Sequence, residues 1–242
     1  MKKMKKTTIV AALSLMAVSC SNTPSPTTGN VALKASAVST TGKPSLTART
    51  ASTVVITDFQ INIGKIKFEK DEQGQVQSAD SIYDDDVKLV GPFLLDILDP
   101  DKTLTQIITS VNIPNAQYEE IKFKFEKSIL PGEMLGKTYL IKGTIDGKNF
   151  SIWSSQDVEL KMDFADPTKD FTVNSNDLTL NIKIQLDGLM AKLTSLASQN
   201  LLQDTDGDGV IEISTDNDDG HHDIGEQIRN LLENETHLDD KD

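Results

Sequence analysis

The densest chemistry in this 242-residue chain is a run of side-chain oxygens near its C-terminus, Asp204-Thr205-Asp206-Gly207-Asp208-Gly209-Val210-Ile211-Glu212. Counted from Asp204, carboxylates stand at the first, third and fifth positions, glycine at the sixth and a backbone carbonyl (Val210) at the seventh. An apolar residue follows, and then a further acid, Glu212. This spacing suits a hard cation. Calcium takes roughly six to eight oxygens at short range, so the backbone must curl tightly around it. Gly209 has no Cβ and tolerates the sharp turn, while Ile211 is placed to point inward and tie the loop to a core. Without a cation the converging aspartates repel one another, so a metal here should act as a determinant of the local fold.

The run resembles the opening of an EF-hand or dockerin calcium loop. That resemblance implies Ca²⁺ as cofactor, with Asp204, Asp206, Asp208, the carbonyl of Val210 and Glu212 as ligands. The pattern departs at the twelfth position, where a bidentate glutamate is expected and Thr215 stands. Asp216, Asp223 and Glu226 are candidates for the missing carboxylate. Asp223 is favoured, because it can either fold back to the ion or cap the helix that follows. The plain alternative is a solvated acidic stretch, since residues 204–242 carry 14 acids against Arg229 and Lys241. Outside the cytoplasm calcium is abundant enough to fill even a weak site.

Other chemistry is sparse. His221-His222-Asp223 invites a zinc or nickel reading, but adjacent rings diverge and structural zinc wants four converging nitrogen or sulfur ligands. His237, in the terminal acidic run, has no assigned role. Cys20 is the only cysteine, which leaves no intramolecular disulfide. It follows four lysines within Met1–Lys6, an apolar run from Ile9 to Val18, and Ser19. A positive head, a short apolar stretch and a small residue mark residues 1–19 as a secretory signal peptide. The stretch is too short for a spanning helix, which needs roughly 20 apolar residues. Met16-Ala17-Val18-Ser19-Cys20 resembles the bacterial lipoprotein signature, with Ala17 where leucine is commoner. The resemblance implies a protein of the bacterial cell envelope, held to lipid membrane through acylated Cys20, at the outer membrane or cell surface rather than the inner membrane. A secreted protein that keeps a free thiol is the alternative.

The net charge is −13, and −17 once residues 1–19 are removed. So acidic a chain is unsuited to nucleic acid, whose phosphates call for a lysine and arginine surface. No nucleophile elbow, glycine-rich phosphate loop or Cys-His pairing is present, and all three histidines lie beyond residue 220. Acids abound, so composition leaves a two-carboxylate glycosidase open. The strand-like segments, however, show no isolated acid in an apolar setting. The chain reads as non-catalytic.

The elements that must position these groups have strand periodicity. Residues 20–52 are rich in Ser, Thr, Pro, Gly and Ala and predict a flexible lipid-anchored tether, with a strand around Asn30–Leu33 as the alternative. From Thr53 apolar residues alternate through Val54, Ile56, Phe59, Ile61 and Ile63, then Ile66 and Phe68. The interruptions at Thr57-Asp58 and Gly64 point to bulges. Later runs start at Ile121, Tyr139, Phe150, Val158, Phe171 and Leu178, and Asp146-Gly147 suits a two-residue hairpin turn. Asp99-Pro100-Asp101 and Leu130-Pro131-Gly132 are further turns. Phe93–Leu98 reads as a helical turn or a buried strand, and Thr103–Val111 as a short helix or a loop. Trp153 reads as a sheet or rim residue rather than a ligand platform. Seven or eight alternating strands over residues 53–186 predict an antiparallel β-sandwich. Residues 187–242 follow as an acidic tail: an amphipathic helix over 187–202, the loop, and a helix over about 223–234 with Ile224, Ile228, Leu231 and Leu232 on one side.

Three segments carry a wider likeness: Val55–Lys67; Leu89-Val90-Gly91-Pro92-Phe93-Leu94-Leu95-Asp96; and Asn112-Ile113-Pro114-Asn115-Ala116-Gln117-Tyr118 leading into Ile121–Phe125. Together they resemble an uncharacterised family of bacterial lipoprotein domains with a transthyretin- or immunoglobulin-like sandwich, over about residues 50–185. Pro114, Ala116 and Tyr118 occupy its Pro-x-Gly-x-Tyr turn, with alanine in place of glycine. The resemblance implies a fold and no enzymatic activity. The expected role is a binding or structural lipoprotein with a calcium-stabilised C-terminal segment and a protein or glycan partner. A carbohydrate-binding accessory module is one alternative, although Trp153, Tyr83, Tyr118 and Tyr139 are too scattered for an obvious sugar platform. An envelope or pilus-type assembly component, needing an open sheet edge or donor strand, is another.

Overall fold

The structure, a computed structural model, describes residues 28–38, 53–70, 87–98, 111–163, 171–174, 178–216, 218–234 and 236–239. The signal segment, Cys20, the turn at 99–101 and the ambiguous stretch 103–110 lie outside them. The described chain is mainly β, with two helices. Its strands are β1 (Thr28–Val38), β2 (Val54–Lys70), β3 (Val87–Asp96), β4 (Val111–Pro114), β5 (Ala116–Phe125) and β6 (Tyr139–Ile145). There follow β7 (Lys148–Ser154), β8 (Val158–Asp163), β9 (Phe171–Val173), β10 (Leu178–Gln185), β11 (Val210–Ser214) and β12 (Thr236–Asp239). Helices α1 (Asp187–Ser198) and α2 (His222–Asn234) flank β11, and a 3₁₀ turn spans Asp218–Gly220.

The long strand β2 is the spine of the larger sheet, ordered β11-β7-β6-β2-β5-β8, with β3 also on β2 and β9 on β5. Its first half pairs with β6 and its second half with β5. The register shifts fall between Ile56 and Asp58 and between Ile63 and Lys65, where the alternation breaks in the sequence. Each extra residue bends the strand, so Phe59, Ile61, Ile63, Ile66 and Phe68 all stay buried along its length. Gly91 lets β3 close on the second bulge, because a Cβ there would lie 2.2 Å from the Ile63 carbonyl oxygen. Phe93–Asp96 belongs to β3, which settles that segment as strand. Asp146 and Gly147 turn β6 into β7 with positive φ at both residues, 51° and 81°, which an Asp-Gly hairpin accommodates readily.

Three expectations need correction. Residues 28–38 are strand rather than tether: β1 pairs with β10 and β4 in the smaller sheet, ordered β12-β10-β1-β4. Among its described side chains Val31 and Leu33 are the large apolar ones in the core, and its neighbours come from far along the chain. The pairing is also mixed rather than wholly antiparallel, since β1 lies parallel to β10 and β11 parallel to β7. Long intervening chain, including α1 before β11, supplies the crossovers that parallel pairs require. Finally, residues 187–242 are not an appended tail. Strands β11 and β12 extend the two sheets, and Leu189, Leu193, Ile211, Ile213, Ile228 and Leu232 join one core with the strands. Helix α1 stops at Ser198, short of residue 202, because Asn200 takes a left-handed backbone (φ 57°) and turns its N–H to the Ala197 carbonyl. Among the described residues no helix is long and apolar enough to cross a membrane.

Candidate metal centre

The aspartate run lies between α1 and β11, and its side chains bond to its own backbone. Asp204 accepts the N–H groups of Gly207 (2.7 Å) and Gly209 (2.9 Å), which folds the loop back over its first residue. Gly207 and Gly209 adopt φ of 80° and 94°, conformations that glycine reaches without a Cβ clash. Asp206 accepts from Asp208 N–H (3.1 Å), and Asp208 from Val210 N–H (2.7 Å), at the start of β11. From there β11 is held by core packing, with Ile211 and Ile213 buried. Ile211 thus takes the inward position its place in the loop predicts.

Closure comes from a residue that spacing did not single out. Asp219, in the 3₁₀ turn at φ 47°, reaches back across the loop. Its Oδ1 accepts from Thr205 N–H (2.7 Å), Thr205 Oγ1 (2.7 Å) and Asp206 N–H (3.3 Å), and its Oδ2 from Glu212 N–H (2.8 Å). Partial burial pushes its carboxyl up. The amide of Glu212, the hydroxyl and amide of Thr205 and the amide of Asp206 outweigh that, and hold it below the usual aspartate range. Ligand atoms of Asp204, Asp206 and Asp219 lie within 4.8 Å of one another. Three carboxylates this close form an all-oxygen donor set, the type that hard divalent cations select.

The remaining sequence candidates are placed elsewhere. Asp208, Val210 and Glu212 border the loop but stand outside this carboxylate group. Asp223, the favoured closing residue, has a side chain that is 98% exposed and lies 3.5 Å from His222. Asp216 accepts from Ser155 Oγ (2.9 Å), and Glu226 from Gln156 Nε2 (3.2 Å), so both engage the β7–β8 connection. Thr215, in the twelfth position, is buried, its Oγ1 2.9 Å from Ser154 Oγ. That position is spent on anchoring β11 to β7. The sequence marks Asp219 only by an acid–glycine turn, Asp218-Asp219-Gly220, which does not reveal that it returns to the loop.

His221 fastens the loop from below. It is buried, its Nδ1 lies 2.8 Å from the Glu212 carbonyl and its Nε2 faces Gln203 N–H at 3.3 Å. A carbonyl on Nδ1 and an N–H on Nε2 define the neutral tautomer with the proton on Nδ1. Both nitrogens are therefore engaged within the chain, joining the entry of the loop to β11. Helix α2 packs close behind: Gly225 sits where a Cβ would lie 2.5 Å from the Ser214 carbonyl carbon. Trp153 lies in β7 with Lys137 Nζ 5.3 Å from its ring centroid.

Comparison with protein-family models, with curated proteins and with solved structures finds no match to this chain.

Proposed function

We propose that this chain is a non-catalytic lipoprotein of the bacterial cell envelope, a binding or structural module whose C-terminal segment is stabilised by Ca²⁺. What supports the calcium reading is the convergence of Asp204, Asp206 and Asp219 within 4.8 Å at the root of β11. In this reading the cation neutralises the three carboxylates and locks the loop that joins α1, β11 and α2. Asp208, the carbonyl of Val210 and Glu212 are the further oxygens that the loop spacing offers. Asp219 replaces Asp223 as the closing ligand.

The two sheets form a sandwich in this account, with α1 and α2 packed against strands of the larger sheet. Tyr118 favours that architecture: its hydroxyl donates to the Pro114 carbonyl at 2.9 Å, four residues upstream. Such a contact is typical of the tyrosine corner of immunoglobulin-like sandwiches. The anchor rests on the signal segment and Cys20. Lipid on that cysteine would give firm membrane association.

Calorimetric titration of the full chain after chelation tests the cation. Heat of binding is expected with calcium, and Asp206→Ala should weaken affinity by more than about tenfold through loss of a direct ligand. No heat at millimolar calcium would remove the metal from the account. Membrane partitioning of Cys20→Ser tests the anchor: release into the soluble fraction is expected, and undiminished membrane association would contradict lipidation.

A further inference from the structure

Strands β6, β7 and β11 carry two rows of side chains, polar except for Val210, across one half-exposed face. Lys142, Ser151 and Glu212 stand in register, as do Thr144, Asn149 and Val210. Beside them the first bulge of β2 brings up Thr57, whose hydroxyl donates to the Lys142 carbonyl at 3.4 Å. Together they line a groove of about 520 Å³, within the usual range for small-molecule sites. The half-buried Val210 side chain, at the end of the second row, gives it a small apolar patch.

The lining selects among ligands. The Lys142 ammonium is paired with Glu133, and Glu212 adds a carboxylate, so the groove offers no net positive charge to a phosphate or sulfate. One carboxylate is too few for a hard cation. The side chains of Thr144, Asn149 and Ser151 form no hydrogen bond to the rest of the described chain. Each of these groups can both donate and accept, as sugar hydroxyls do. The apolar patch is the complement of a sugar C–H face. We propose that this groove binds a neutral polyhydroxylated ligand, a short uncharged glycan.

The groove is also mechanically joined to the aspartate loop, and this part rests on the calcium reading. The amides of Val210 and Glu212, in the third strand of the site, donate to Asp208 and Asp219. Calcium in the loop fixes the strand that carries Glu212, and so raises affinity for the glycan.

Amide-resolved NMR of the full chain tests both parts, with cellobiose, maltose and N,N′-diacetylchitobiose as probes and glucose 6-phosphate as the charged control. A neutral-glycan array widens the search. The expected result is shifts confined to 142–144, 149–151 and 210–212 with a neutral sugar, and affinity lowered at least about tenfold in Ser151→Tyr, which fills the groove. Calcium affinity and melting temperature of that variant should stay unchanged. Absence of shifts with every neutral sugar and of array binding, shifts that persist in Ser151→Tyr, or tighter binding of the phosphorylated sugar would overturn the groove. Sugar affinity equal with calcium and with chelator would overturn the coupling alone. Sugar binding in a chain that takes no calcium would uphold the groove and overturn the metal reading.

Discussion

Asp219 reaches the loop from 14 residues beyond Thr205 and takes four hydrogen bonds from it, whereas Asp223 faces solvent. The two residues therefore separate two accounts of closure. Replacing a carboxylate oxygen by an amide nitrogen removes charge and turns an acceptor into a donor. Asp219→Asn is expected to weaken calcium binding by about 10–100-fold, and Asp223→Asn to leave it unchanged, both read by calorimetry. The reverse ranking would return closure to Asp223. Asp204 and Asp206 were legible because the loop's own turn chemistry demands acid and glycine at fixed offsets. Asp219 was not, because its place depends on β11 running back through the sheet before the chain turns. No local spacing encodes that.

At the level of elements, alternation revealed the strands whose apolar residues are large. Phe123, Phe125, Tyr139, Ile141, Phe150, Ile152 and Phe171 are all buried in β5, β6, β7 and β9. It missed most of β1, where Gly, Ala and Ser fill many positions and the stabilising partner, β10, is remote in sequence. It also could not show the ion-pair ladder over β2 and β5, which reaches Asp157 just before β8. There Glu69 bonds both Lys67 (2.6 Å) and Lys122 (2.5 Å), Lys122 also pairs with Glu120, and Lys124 with Glu126 and Asp157. Burial pushes the Glu69 carboxyl up, but its bonds to Lys122 and Lys67 prevail and hold it at about 2. A glutamate depressed below its unfolded value of about 4.3 stabilises the fold fully above that pH and loses the contribution as pH falls toward 2. Glu69→Gln is therefore expected to cost about 1.5–3 kcal/mol at neutral pH. It should also flatten the acid limb of the stability profile below about pH 4.3, in denaturant titrations at stepped pH. A variant whose profile stays parallel to that of the parent through this window would show that the ladder contributes nothing.

For the whole molecule, the decisive feature is that the chain's last third is woven into both sheets. Strand β11 lies parallel to β7, β12 pairs with β10, and both helices share the common core. A break at residue 186 was expected because the period changes there from two to helical spacing. Periodicity reports the element and not its neighbours, so it could not show that the later strands return to earlier ones. A cation held in the aspartate loop as proposed would therefore act on the main fold, through the amides that tether β11. Hydrogen exchange of the full chain, with calcium and then with chelator, measures this most directly. With calcium at about 100 times its dissociation constant, amides of Gly207, Gly209, Val210 and Glu212 should exchange up to about 100-fold more slowly than in chelator. Identical exchange at these four amides under both conditions would contradict the account.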